Sequence, residues 1–246
     1  MGPREFYDSL PSTQDRALEL AREGAPEGSR VVARRQTRGR GRLARSWTSP
    51  EGGLYCSVVV RRPADHAGLL PLAIGARLAS GLTEAYAAPL VLKWPNDVLV
   101  RALGSPPRKL AGILADEVAS PALGRAVVAG VGVNVRLDPS ILPPPLQDSV
   151  AALDEFTASP PAPEEVESIV VDSVVGAAHL LSTAEGARRA RALCRRMLYG
   201  VGRPVTVDGA PAGTIEALGD DGELWLATPT YRVAIWTGDV RVQEVP

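Results

Sequence analysis

The chain has 246 residues, 45% of them hydrophobic and 22% charged, with a formal net charge of −1. That length buries one substantial core with room for a small appended module, and the near-neutral balance excludes a global basic field that would draw the whole protein onto nucleic acid or an anionic membrane. No apolar run nears the ~18 residues needed to span a bilayer, and residues 1–10 carry acids instead of the hydrophobic stretch of a secretion signal.

Along the chain, Ser12 is a good N-cap for a helix that carries Asp15 at its positive end and stops at Gly24. Residues 29–36 read as a Val-rich strand, 37–46 as a Gly/Arg-rich loop, 54–61 as a second strand and 69–88 as a long apolar helix. Strand candidates at 90–94, 97–101, 110–117 and 125–135 are so closely spaced that hairpin pairing is favoured over helix-bearing crossovers. Residues 139–145 form a surface connection, and 163–199 read as helix, broken near 182–186. From about Gly200 the pattern changes to short strands at 204–207, 213–218, 223–227, 231–236 and 240–242, separated by Gly, Asp and Pro turns, which predicts a small β-barrel. The expected fold class is α+β, a mixed or antiparallel sheet flanked by helices over residues 1–199, with the barrel over 200–246.

The composition singles out a few positions. Of the 27 basic residues 25 are arginine, leaving Lys93 and Lys109, and the only asparagines are Asn96 and Asn134. Where such a bias replaces Lys and Asn wherever it can, the survivors point to chemistry that Arg, Asp or Ser does not supply. Cys56 and Cys194 lack metal-type spacing and read as reduced thiols, so a soluble cytoplasmic protein is expected. His66 and His179 have no ligand-like neighbours and read as surface or helix residues, with no metal role.

Four segments carry the chemistry. Gln36-Thr37-Arg38-Gly39-Arg40-Gly41-Arg42-Leu43-Ala44-Arg45 packs four arginines around two glycines; glycine admits close backbone approach and arginine forks hold phosphate or carboxylate. A solvated basic loop is the plain alternative, and the segment matches neither a Walker loop nor a dinucleotide fingerprint. Trp47, just beyond, either stacks on a base or anchors the loop, the anchor being favoured for the residue alone. Lys93-Trp94-Pro95-Asn96-Asp97 sets a cation, an amide and a carboxylate around a turn. Lys109 opens an apolar strand at Arg108-Lys109-Leu110-Ala111-Gly112, where it either meets an anionic ligand or snorkels to solvent. Gly130-Val131-Gly132-Val133-Asn134 is a core strand whose glycines leave room for a flat group or for close packing.

Together, GRGR, W-T-S-P-E-G-G-L-Y-C-S, KWPND, RKLAGIL and GVGVN stand in the order and spacing of the biotin–protein ligases, and the chain resembles that family over roughly residues 12–135, weakly over the tail. The resemblance implies a catalytic domain like that of class II tRNA synthetases and an SH3-like C-terminal barrel. It implies that Ser12, Thr13 and Gln36 meet biotin; that Gly39, Arg40 and Arg42 close over biotin and nucleotide; and that Trp47 lies near the adenylate. Asn96 would face the nucleotide and Asp97 the acceptor amine, Lys109 the biotin carboxylate and α-phosphate, Gly112 the biotin and Asn134 the nucleotide. Arg42, Asp97 and Lys109 are the catalytic candidates, and neither cysteine is required.

The implied activity forms biotinyl-AMP from biotin and ATP, with Mg²⁺ on the triphosphate, then transfers biotin to a lysine of a biotin carboxyl carrier protein. Departures from the family pattern are Gln14 for asparagine, Ala44 for glycine and a longer connection at 101–107. With Ser12 already in the site, no winged-helix DNA-binding module is expected, and neither nucleic acid nor membrane is an expected partner; a homodimer is left open. Weighed against this are a lipoate or octanoate ligase, an inactive adaptor and an RNA-binding module, the last disfavoured by 4% aromatic content.

Overall fold

The computed structural model describes residues 2–63, 65–102, 104–159 and 161–243. Its main sheet has seven strands in the order β1-β2-β3-β7-β6-β5-β4. These are β1 (Arg4–Leu10), β2 (Arg30–Gln36), β3 (Gly53–Arg61), β4 (Leu90–Lys93), β5 (Asp97–Val100), β6 (Arg108–Ser120) and β7 (Gly124–Asn134). β1 runs parallel to β2 and every other neighbouring pair is antiparallel. The hairpin expectation therefore holds for β4 through β7. β1 is an addition: its alternating residues are mostly polar and it lies at the sheet edge, so no hydrophobic period marks it. The connection at 101–107 joins β5 to β6, with Leu103 outside the described residues.

Strand alternation gives the two faces different partners. On one face α2 (Leu70–Tyr86), α4 (Pro163–Leu180) and α5 (Ala184–Met197) cover the main core, into which β3 and β7 send Cys56, Val58, Val127, Ala129, Val131 and Val133. On the other lies only α1 (Thr13–Arg22), whose Ala17, Leu18 and Ala21 pack on Val31, Ala33, Val59 and Val128. Ten residues of helix leave much of this second face uncovered, and the functional cleft forms there. α1 begins as expected, with the Asp15 N–H donating to Ser12 Oγ (3.4 Å) and Asp15 in its first turn. The connection at 139–145 contains a 3-10 turn and the start of a one-turn helix, α3 (Pro144–Gln147).

The last five strands are β8 (Pro204–Val207), β9 (Ala210–Leu218), β10 (Leu224–Ala227), β11 (Arg232–Ile235) and β12 (Val240–Val242), an antiparallel sheet in the order β11-β10-β9-β8-β12. The expected closed barrel is not what the pairing shows, because β11 and β12 form its two edges among the described residues. The sheet shares the main core through Ile215, Leu218, Leu224 and Val240. It is tied to the β4–β5 hairpin by the Trp94 indole N–H donating to Gly222 O (2.8 Å) and by Tyr199 N–H donating to Leu92 O (2.7 Å). No described helix is long and apolar enough to cross a membrane.

Candidate active site

The cleft is built on one row of residues across the uncovered face. Register pairs Tyr55 of β3 with Gly132 of β7, Gly132 with Gly112 of β6, Gly112 with Asp97 of β5, and Asp97 with Lys93 of β4. Lys109 should point the opposite way from Gly112, three residues on, but the β5–β6 register shifts between Val98 and Leu99: Val98 faces Ala111 while Leu99 faces Lys109. Leu110 is the extra residue of a β-bulge, which returns Lys109 to the cleft face. There its ammonium pairs with Asp97 (2.7 Å). Its strand end is held by the Lys109 N–H donating to Ser149 O (2.7 Å) and by the Asn134 amide donating to Lys109 O (3.2 Å) and Ala151 O (3.1 Å).

Gly112 and Gly132 form a floor on which the Trp47 indole lies. A Cβ on Gly112 would come within 2.7 Å of that ring and one on Gly132 within 2.8 Å, so both positions require glycine for the ring to sit there. Lys109 Nζ lies over the ring, 4.8 Å from its centroid. The Trp47 Nε1–H is buried without an acceptor among the described residues. Trp47 thus anchors the loop and forms part of the cleft at once.

At the head end, deep beside α1, the groups are neutral. The Thr13 N–H donates to Gln36 Oε1 (2.8 Å), Thr13 and Ser57 share a hydroxyl contact (2.9 Å), and Ser57 donates to Gln14 Oε1 (3.1 Å). Ser12, Thr13, Gln14 and Ser57 are all buried. At the tail end the groups are charged: Lys93, Asp97, Lys109, Arg42, Arg45 and, from the turn before β12, Asp239 all line the cleft. Burial pulls the Arg42 guanidinium below its usual value; Asp97 opposes that shift and Arg45 adds to it. Arg42 has weak neutral partners, Asn96 Oδ1 and Thr237 Oγ1, both at 3.4 Å. A desolvated cation with such partners is an anion site. Asn96 itself is pinned by its amide donating to Ile113 O (2.8 Å).

Of the residues expected from sequence, Ser12, Thr13, Gln36, Arg40, Arg42, Trp47, Asn96, Asp97, Lys109 and Gly112 come together as lining of this cleft. Gly39 lies in the loop behind it, where a Cβ would sit 2.4 Å from Trp47 O. Asn134 is buried at the end of β7 and supports Lys109 from behind, outside the cleft lining. Leu43 and Ala44 adopt positive φ (54° and 57°), so the loop turns where glycine would be unstrained. Sequence reading missed Ser57, Asp116 and Asp239. Ser57 stood in a quoted motif and strand phase points it to the cleft, whereas Asp239 arrives by a contact with no local signal. His66 and His179 meet Asp221 (2.6 Å) and Glu27 (3.2 Å), away from the cleft.

These features define the class: an α+β protein with a one-sided cleft for a small ligand that is polar and uncharged at its head and anionic at its tail. The chain belongs to the biotin/lipoate A/B protein ligase family, whose profile matches residues 6–134. It is 32% identical to the bifunctional ligase/repressor BirA of Bacillus subtilis, over 96% of this chain and 73% of that one. It is also 32% identical to the biotin–[acetyl-CoA-carboxylase] ligase of Paracoccus denitrificans, over 93% of this chain and 96% of that one. The structure is similar to that of the Aquifex aeolicus biotin protein ligase in complex with biotin and ATP (TM-score 0.81, 26% identity, 99% of each chain).

Proposed function

We propose that the protein is an ATP-dependent biotin–protein ligase. It forms biotinyl-AMP from biotin and ATP, then passes biotin to a lysine of a biotin carboxyl carrier protein. The observation that supports this most is the polarity of the cleft along its length. Hydroxyls and an amide at the head suit the neutral cyclic urea of biotin, the glycine floor with Trp47 suits its apolar ring system, and Lys109 with Arg42 suits the carboxylate and α-phosphate.

In the first step a biotin carboxylate oxygen attacks the α-phosphorus, the bond to the β-phosphate bridging oxygen breaks, and pyrophosphate leaves. Lys109 and Arg42 hold the negative charge that spreads over the phosphate oxygens. In the second, the acceptor amine, having lost a proton, attacks the mixed anhydride and AMP leaves. Asp97 is the carboxylate placed to orient that amine once Lys109 has turned to the phosphate. Asp97 and Asp239, the carboxylates of the cleft, both face cations, so magnesium is read here as part of the ATP substrate.

Asn96 reads as a nucleotide contact beside Arg42, and Gly39 and Arg40 as the part of the loop that closes over biotin. Asn134 fits a nucleotide role only indirectly, by supporting Lys109. The functional division falls at 1–199 and 200–246, the second part being the bent, SH3-like module that the resemblance implies. It bounds the nucleotide end through Gly238 and Asp239. Two buried thiols, with burial pushing both up to about 12, suit a reducing cytoplasm.

Calorimetric titration of biotin with and without MgATP, together with pyrophosphate release, tests the reading. Wild type should bind biotin and release pyrophosphate, and Lys109→Ala should lower that release about 100-fold or more. Absence of biotin binding under both conditions, or saturation by lipoate instead, overturns it.

A further inference from the structure

Asp116 belongs to none of the motifs above, yet two parts of the cleft meet on one of its oxygens. Asp116 Oδ2 accepts from Gln14 Nε2 (3.2 Å) at the head and lies 3.2 Å from Nη2 of Arg40 in the loop. Arg40 Nη1 is 2.8 Å from Asp15 Oδ1, so the loop's guanidinium is clasped by two carboxylates, one on α1 and one on β6.

The hydrogen bonds then run in one direction except at Thr13, whose single hydroxyl proton serves either Ser57 Oγ (2.9 Å) or Gln36 Oε1 (3.1 Å). Both protons of the Gln14 amide are taken, by Asp116 Oδ2 and by Val128 O (2.9 Å), which leaves Gln14 Oε1 as an acceptor. Ser57 donates its only proton to that oxygen, so the Ser57 hydroxyl faces Thr13 with lone pairs alone. Thr13 N–H fixes Gln36 Oε1 as an acceptor, and the Gln36 amide donates to Ser49 Oγ (2.8 Å). Ser49 in turn donates to Trp47 O (3.0 Å), and the Trp47 N–H returns to Gly39 O (2.9 Å), next to Arg40. The circuit closes on the loop where it began.

We propose that Asp116 and Gln14 are positioning residues that couple closure of the arginine loop to the alignment of the hydroxyls reading the ligand's ring, an assignment that rests on the biotin reading above. Removing Asp116 frees a Gln14 proton and one side of Arg40 together. The amide can then turn, Ser57 loses its fixed acceptor, and Arg40 is held by Asp15 alone. A ligand that uses the head cradle feels both losses, whereas one bound only at the tail feels neither.

The test is steady-state kinetics on the full chain, with Asp116→Ala, Arg40→Ala and the double variant. Asp116→Ala should raise the biotin KM about tenfold, the scale of one charge-assisted hydrogen bond. The kcat at saturating biotin should stay within about twofold and the ATP KM should not move. The double variant should raise the biotin KM by less than the product of the single effects, since both remove one junction. Asp116→Asn, which keeps size and one neutral acceptor, should fall between wild type and Asp116→Ala and serves if the alanine variant does not fold. An unchanged biotin KM, multiplicative single effects, or a lower kcat with KM preserved would each overturn the assignment while leaving a biotin-saturable wild type intact. A wild type that biotin does not saturate would instead overturn the reading on which it rests.

Discussion

The two ends of the cleft solve opposite problems. At the head, Thr13, Gln14, Ser57 and Gln36 are neutral and joined by hydrogen bonds whose directions are set except at the Thr13 hydroxyl. Such groups discriminate well because a wrong ligand leaves a buried donor or acceptor unmet, and they need little rearrangement when the right one arrives. At the tail the groups are charged: Lys109 pairs with Asp97, Asp239 with Arg45 and Arg241, and Arg42 is only weakly partnered. Those contacts must be exchanged for contacts to phosphate. The head therefore governs which ligand enters and the tail governs what happens to it.

The sharpest way to break this division is Asp97→Asn. It should slow transfer of biotin to the acceptor lysine about 100-fold, the scale of a misplaced nucleophile, with adenylate formation affected less. Single-turnover transfer from preformed adenylate reads the first, pyrophosphate release the second. Equal losses in both steps would mean that Asp97 acts only through Lys109. Next is the floor that separates the two ends. Gly132→Ala puts a methyl group into the Trp47 ring, and overpacking costs of about 1–3 kcal/mol predict a biotin affinity roughly tenfold lower, with a change in indole fluorescence.

The smallest effect concerns Asp239. Burial alone would raise its carboxyl, but the hydrogen bond from Arg241 and the charges of Lys93, Arg241 and Arg45 outweigh that and hold it below its usual value. Its contribution to stability is therefore complete above about pH 4, the ordinary carboxylate range. It is lost as pH falls through the lowered folded value. Asp239→Asn should remove that part of the acid dependence and cost about 0.5–1 kcal/mol near neutral pH, as expected for a partly exposed pair. Denaturant titrations at several pH values measure it, and an acid limb identical to wild type would detach Asp239 from the tail cations.

Much of the tail was legible because its residues are chemically scarce. Lys93, Lys109 and Asn96 survive a bias that removes their types elsewhere, and all three line the cleft. The head was legible only through motifs, since Ser and Thr recur along the chain and their role depends on burial. Asp116 was hidden for a geometric reason: whether a side chain on a 13-residue strand faces cleft or core depends on strand phase, which the bulge at Leu110 changes. β1 was hidden because Arg4, Phe6 and Asp8 mark no buried face, and its partner strand runs parallel. The open C-terminal sheet was read as a closed barrel because strand spacing reports hairpins, not whether the first and last edges meet.

The bulge at Leu110 also makes the enzyme indifferent to events on one side of it. Residues 101–107 can lengthen or shorten without rotating Lys109, because the phase of the strand is reset after that connection and before the glycine floor. Straightening the bulge with all its residues kept would do the reverse, turning the ammonium toward the aliphatic core under α2, whereas loss of Leu110 itself would make the strand regular and leave Lys109 on the face of Gly112. Two chains with the same letters across RKLAG could thus differ in whether the lysine serves the cleft at all, and the difference would lie in whether the strand bulges at one uncharged leucine.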